Sequence, residues 1–359
     1  MNIAVLVSGG VDSSVALKLL RDQGHAVTAF YLKIWLEDEL SFLGNCPWEE
    51  DLSYVQAVCA QLNVPLEVIS LQKEYWDQVV SYTISQVKMG NTPNPDILCN
   101  QRIKFGAFFS KIDNSFDKVA TGHYAQVHEE NGVFILSRAP DPIKDQSYFL
   151  SHLSQEQLSR ALFPIGHLQK NEVRALAEKF DLPNKTRKDS QGICFLGTLD
   201  FAAFLRHHLG EKDGALVELE TGKPVGVHKG FWFYTIGQRQ GLGLAGGPWY
   251  VADKDPEKNI VFISKNYHSA EKERNSFYVG DCHWISGRDP EQKEFLVKMR
   301  HGAQLYKARV DYNREKKGAF VQLEGRDQGI APGQFAVFYD EAVCIGSGTI
   351  SRMPQGIAI

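Results

Sequence analysis

Five uninterrupted apolar residues, Ile3 to Val7, stand near the start of the chain, and such a run predicts a strand covered on both faces. Val15, Leu19 and Leu20 then recur at helical spacing, with Gly24 where that helix would end. Val27 to Leu32 predicts a second strand. Leu52, Val55, Cys59 and Leu62, spaced three, four and three apart, put one apolar face on a helix and make Cys59 a core residue. Leu66 to Ile69 predicts another strand. Short buried strands alternating with helices are the pattern of a parallel sheet flanked by helices. After about residue 210 the chain becomes glycine-punctuated and β-rich. From about 275 it alternates again, as in Phe295 to Arg300, Lys307 to Tyr312 and Phe335 to Phe338, which predicts a small barrel. The expected architecture is α/β: a Rossmann-like parallel sheet over residues 1–208, a small β-rich central domain over 209–273, and a C-terminal β-barrel over 274–359.

Composition narrows the function classes. A chain of 359 residues with 43% hydrophobic and 23% charged residues is globular and large enough for two or three domains. No apolar run approaches the roughly 20 residues of a membrane span. No basic, apolar, small-residue leader pattern stands at its start, so a cytoplasmic protein without membrane contact is expected. The six cysteines, at 46, 59, 99, 194, 282 and 344, form no CxxC pair, and no histidine cluster has zinc-like spacing. No metal site is therefore expected, and an iron–sulfur mechanism is disfavoured. The net charge of -4 is unlike that of a general RNA binder. Between Leu296 and Lys317, however, seven Lys or Arg face two acids, a local excess able to meet phosphates.

Ser8-Gly9-Gly10-Val11-Asp12-Ser13-Ser14 follows the first strand and opens the first helix. Glycines there let backbone N–H groups approach phosphate oxygens, the hydroxyls add donors, and the helix dipole favours an anion. The loop lacks the lysine of a Walker A motif, and Asp12 could hold a Mg²⁺ bridging a pyrophosphate. The loop resembles that of the PP-loop ATP pyrophosphatases, which implies ATP and adenylation. Farther on, the two prolines of Asn91 to Asn100 predict a stiff, exposed loop ending at Cys99, near the start of a helix that would favour its thiolate. Asp96 is placed as a proton carrier or as a plain helix cap. Cys194, in Lys188 to Phe195, reads equally as a reactive thiol or as a buried apolar residue.

Together with the loop, Asn94-Pro95-Asp96-Ile97-Leu98-Cys99-Asn100, Ala120-Thr121-Gly122-His123-Tyr124, Lys144-Asp145-Gln146-Ser147-Tyr148-Phe149, Gly192-Ile193-Cys194-Phe195, Thr235 to Arg239 and Pro332-Gly333-Gln334 resemble the tRNA 2-thiouridylase family in order along the chain. The resemblance implies that O2 of uridine 34, in the tRNAs for glutamate, glutamine and lysine, is adenylated and replaced by sulfur. It implies ATP and Mg²⁺ as cofactors. Nucleotide contacts would come from Leu6, Val7, Ser8, Gly9, Gly10, Val11, Asp12, Ser13, Leu32 and Gly122. Cys194 would carry a persulfide received from a sulfur-relay protein, Cys99 would be the second thiol, and Asp96 would manage the proton. Asn94 and Pro95 would seat the uracil with Asp96, while Lys144, Asp145, Gln146, Arg300 and His301 would touch tRNA. Residues 37–50 depart from the pattern, and Cys46 is given no role. Direct persulfide attack and release of sulfide both remain open. The alternative reading is an AMP-forming PP-loop ligase or amidotransferase acting on a small molecule.

Overall fold

The computed structural model describes residues 1–34, 48–189, 200–269 and 274–352. The apolar run at the start forms β1 (Asn2–Leu6), whose residues from Ile3 on are buried. It lies in parallel between β2 (Ala26–Lys33) and β4 (Lys118–Ala120). Outside these run β3 (Leu66–Ser70) and β7 (Ala161–Leu162), giving the order β3-β2-β1-β4-β7. The chain moves outward from β1 to β3, then returns to the other side of β1 for β4. The direction of winding thus reverses at β1, and in open α/β sheets ligands bind beyond the strand carboxyl ends at that reversal. The helices Val11–Asp22 and Trp48–Leu62 cover this sheet, and Cys59 is buried as its spacing predicts.

The central unit is a second sheet, ordered β10-β11-β8-β9 from β8 (Gly214–Glu218), β9 (Pro224–His228), β10 (Tyr250–Asp255) and β11 (Ile260–Ser264). It has its own core, including Leu216, Trp249, Val251 and Ile263. The last part is a barrel of β12 (Ser276–Trp284), β13 (Glu294–Lys298), β14 (Tyr306–Asn313), β15 (Gly318–Leu323), β16 (Phe335–Asp340) and β17 (Val343–Ser351). Pairing of β12 with both β15 and β17 closes it.

One feature differs from the predicted layout. The hairpin β5 (Ala125–Glu130) and β6 (Val133–Arg138) lies within residues 1–208 but joins the barrel's sheet, with Leu136 opposite Cys344 and Ser137 opposite Val343. Strand β17 pairs with β12 only from Gly346 onward. Its first residues would otherwise present an open edge, and β6 satisfies their backbone groups. Among the described residues no helix is long and apolar enough to cross a membrane.

Candidate functional site

At the carboxyl end of β1 the chain turns through Gly9 at φ +76° into the helix Val11–Asp22. A Cβ on Gly9 would sit 2.6 Å from the Asp51 carbonyl oxygen, so only glycine fits. No side chain caps the helix at Gly10. Instead the Ser13 hydroxyl accepts from Ser8 N–H at 3.2 Å and donates to the Gly10 carbonyl at 3.1 Å, which ties the loop to the first turn of the helix. From across the fold, buried Asn184 donates to the Gly9 carbonyl at 2.8 Å and to the Ser14 hydroxyl at 2.9 Å. Gly122, just past β4, abuts the same turn: a Cβ there would be 2.7 Å from Ser13 N and 2.9 Å from the Asp12 carbonyl carbon. Leu32 lies near the carboxyl end of the adjacent β2. Leu6 to Ser13, Leu32 and Gly122 thus lie at or just past the carboxyl ends of the three adjacent strands β1, β2 and β4.

Behind the loop is a charge cluster that local sequence did not reveal. Lys170 reaches both carboxylate oxygens of Asp12, at 2.8 and 2.9 Å, and one of Asp189 at 2.8 Å. The Tyr124 hydroxyl donates to Asp12 at 2.9 Å, and Lys144 pairs with Asp189 at 2.6 Å. Arg174 also pairs with Asp189. Burial alone would raise the Asp189 carboxyl, but the hydrogen bonds and charges of Lys144 and Lys170 hold it well below the usual carboxylate range. Burial and the Asp12 charge push the Tyr124 phenol far up, so it stays a donor. The one local clue to Lys170 is its place at the first position of the helix Lys170–Lys179, where a cation opposes the helix dipole. Asn184 carried no local signal.

These engagements bear on Mg²⁺. Both Asp12 oxygens are occupied, and no group of three His, Cys, Asp or Glu side chains among the described residues could hold a metal ion. The described donor set does not fit a protein-held ion.

The proline loop is not the exposed element that was expected. Asn91 to Asn94 are only partly exposed, because the Thr92 N–H donates to the Pro332 carbonyl at 2.7 Å and Gln334 Nε2 donates to the Thr92 carbonyl at 2.7 Å. Gly333 permits the contact, since a Cβ there would meet Thr92 N at 2.9 Å. The helix begins at Pro95, and Cys99 sits one turn inside it, 1% exposed and packed in the main core. Asp96 and Asn94 stay partly exposed at the helix start, and Pro95 is buried. Asn100 donates to the Phe149 carbonyl at 3.1 Å, tying this helix to the segment from Lys144 to Phe149. Cys194 and Cys46 lie outside the described residues. Asp189, the last described residue before Cys194, is fixed in the charge cluster beside the loop.

The Lys144 to Gln146 segment divides into two kinds of residue. Lys144 and Gln146 are partly exposed, and Gln146 exchanges hydrogen bonds with the Tyr124 backbone at 2.8 and 3.0 Å. Asp145 is not a surface contact and corrects the expectation for it: it is 1% exposed and accepts from Lys298 at 2.8 Å, Arg138 at 3.2 Å and the Ser147 hydroxyl at 2.7 Å. A carboxylate so satisfied cannot also reach RNA, and its contribution is to fix its neighbours. Arg300 and His301 are exposed, two and three residues beyond Lys298. Arg300 pairs with Asp327 at 2.8 Å, and the His301 ring lies 4.8 Å from that of Phe149. The barrel and the first domain therefore bring the candidate contacts onto one surface.

His123, the neighbour of Gly122, is half-buried and bonded through Nδ1 to the Thr121 hydroxyl at 2.7 Å. Burial, aided by the Lys104 charge, lowers its pKa well below the ordinary imidazole value.

Three family models tile the chain: the tRNA methyl transferase HUP domain over residues 1–198, the tRNA methyl transferase PRC-barrel domain over 202–265, and the aminomethyltransferase beta-barrel domain over 274–350. A tRNA-specific 2-thiouridylase of Bacteroides thetaiotaomicron is 46% identical over 360 residues, covering 98% of this chain and 100% of that protein. One of Porphyromonas gingivalis is 46% identical over 362 residues, covering 98% and 99%. One of Parabacteroides distasonis is 46% identical over 358 residues, with the same coverage. The model descriptions speak of methyl transfer, whereas these relatives, which match nearly end to end, are named for thiolation. At this identity and coverage, the chain belongs to the tRNA-specific 2-thiouridylase family.

Proposed function

We propose that the protein replaces O2 of the wobble uridine of tRNA with sulfur, using ATP. The observation that supports this reading is the helix that begins at Pro95 and carries Asp96 and Cys99: the loop before it is hydrogen-bonded through Thr92 to Pro332 and Gln334 of the barrel, and its Asn100 to Phe149 in the segment following Lys144. An AMP-forming enzyme acting on a small molecule has no need of a surface shared between a nucleotide domain and a barrel. Oxide is a poor leaving group at a pyrimidine carbonyl. The uridine O2 therefore attacks the α-phosphate of ATP and releases pyrophosphate, and AMP becomes the leaving group. The Ser8–Ser13 loop offers backbone N–H groups and hydroxyls to the phosphates, and magnesium enters with the nucleotide as part of that substrate.

Sulfur arrives on Cys194 as a persulfide from a relay protein. In one route its outer sulfur attacks C2 and expels AMP, and the Cys99 thiolate then attacks Cys194 Sγ, breaking the S–S bond so that the outer sulfur stays on C2 and a Cys99–Cys194 disulfide is left. In the other, Cys99 attacks the persulfide first and releases sulfide as the nucleophile. Asp96 handles the proton, and Asn94 and Pro95 seat the base, which must leave the anticodon stack to be reached. Lys144, Gln146, Arg300 and His301 meet the RNA backbone. Substrates are the tRNAs for glutamate, glutamine and lysine, in the cytoplasm. The division into units at 208/209 and 273/274 belongs to the same reading, with the β5–β6 hairpin shared between the first unit and the barrel.

The test is to incubate the protein with ATP, Mg²⁺, a persulfide source and unmodified tRNA and to search digested RNA for 2-thiouridine by mass spectrometry. Folded enzyme with an active donor and no thiolated nucleoside would refute the reading.

A further inference from the structure

A cavity of about 470 Å³ opens where the three structural units meet. Its wall takes Thr92 from the proline loop, Ile236 and Tyr267 with His268 from the central unit, and Arg326 and Gln328 from the barrel. That size falls in the range of about 300 to 1,000 Å³ usual for small-ligand sites. Its chemistry is mixed in an informative way. Tyr267 is buried and fixed: its hydroxyl donates to the Gln328 carbonyl, and its ring stacks at 5.4 Å on Tyr250. The exposed His268 ring stands edge-on to both tyrosines, at 4.7 and 5.2 Å. Gln328 Oε1 is buried without a hydrogen-bond partner, although buried acceptors almost always have one. Arg326 is exposed and has no ion-pair partner among the described residues, whereas the nearby Arg300 is already paired with Asp327.

An exposed imidazole, an unsatisfied amide acceptor and an unpaired guanidinium match the three parts of a nucleotide. A base can stack on the His268 ring, which the two tyrosines hold in place, one of its N–H groups can satisfy Gln328, and its phosphate can meet Arg326. Thr92 stands two residues before Asn94, so the cavity borders the seat assigned above to the reacting base. We propose that this cavity is a subsite for a nucleotide next to the reacting uridine, and that Gln328 and His268 help select which base stands there. This rests on the proposed action on RNA and deepens it.

The experiment uses anticodon stem-loop RNAs carrying 2-aminopurine singly at the nucleotide on either side of the target uridine, titrated with the full-length protein. Wild-type protein should change the fluorescence at least about twofold at one of the two positions as the ring stacks. His268→Ala should abolish that change, and Arg326→Gln should weaken binding about fivefold or more, in line with loss of one stacking or phosphate contact. Gln328→Ala should reduce discrimination among stem-loops that differ only in that base. Both His268 and Arg326 are exposed, and unchanged thermal melting of the variants checks their folding. RNA binding with no fluorescence change at either position, or a change that survives in His268→Ala together with unaltered affinity in Arg326→Gln, would overturn the subsite while leaving thiolation intact. Failure of the wild-type protein to bind any of the RNAs would overturn the functional reading and the subsite together.

Discussion

The carboxylate of Asp145 and the ammonium of Lys298, 153 residues apart in the chain, meet at 2.8 Å with both side chains excluded from solvent. The pair joins the segment bearing Lys144 and Gln146 to the strand that leads into Arg300 and His301. Ser147 extends the joint through Tyr339, whose hydroxyl lies 3.1 Å away. A buried ion pair is poor evidence for net stability but a strong determinant of register, because leaving one member unpaired is very unfavourable.

Lys298→Met should destabilise the protein by about 3 to 5 kcal/mol, since Arg138 alone would then face the buried carboxylate. Adding Asp145→Leu should recover most of that loss. Urea unfolding of the single and double variants measures it. The double variant should still bind tRNA more weakly than the wild type; if stability and affinity both return to wild-type values, the pair does not set the register of the contact surface.

Gly122→Ala tests the crevice. Its Cβ would press on backbone atoms of Asp12 and Ser13, which cannot rotate away as a side chain could. The KM for ATP should rise about tenfold, and stability should fall by about 1 to 3 kcal/mol. An unchanged ATP dependence of AMP formation would show that the turn at Ser13 is not used for the nucleotide.

Lys170→Met removes the cation that holds Asp12 and Asp189. tRNA-dependent pyrophosphate release at saturating ATP should drop about 100-fold, a loss of the size seen when one preorganised electrostatic group is removed from an active site. A lowered melting temperature with an unaltered rate would instead mark Lys170 as structural.

Cys99→Ser and Cys194→Ser should separate the two half-reactions. Each should still release pyrophosphate in a single turnover with tRNA and ATP, and neither should yield 2-thiouridine. Thiolation surviving in either variant would remove that thiol from the mechanism, and full turnover in both would favour an AMP-forming ligase.

Stability should fall as pH drops below about 6.5. Burial, together with the neighbouring His283 and Arg102, lowers His152 to about 3, and His123 is also lowered. In the unfolded chain both regain ordinary values near 6.5, so between the folded and unfolded values the unfolded state binds more protons and gains weight as pH falls. Each histidine adds at most about 1.4 kcal/mol per pH unit in that window. Asp189 and Asp145, whose partners hold them low, add losses in the same direction below pH 4 or so. Urea midpoints measured from pH 7.5 to 5 give the slope, and a flat profile would contradict the neutral state of these two half-buried histidines.

The parallel sheet, the nucleotide turn and the barrel were legible in the chain because each depends on local periodicity or on a motif a few residues long. Ile3 to Val7 fits a strand covered on both faces, and Gly9-Gly10 between that strand and a helix fits a turn that lets backbone approach closely. Resemblance supplied the thiols and the tRNA contacts; helical spacing marked Cys59 as core, but no local rule showed that Cys99 is buried as well. Tertiary structure decided what depends on distant partners. It placed Lys170 and Asn184 beside a loop more than 150 residues away, packed Cys99 into the main core, and docked the proline loop on Gln334. It turned Asp145 from a surface contact into an internal joint, because a carboxylate's surroundings are set by which cations the fold brings to it, and Lys298 and Arg138 reach it only once β6 has joined the barrel's sheet.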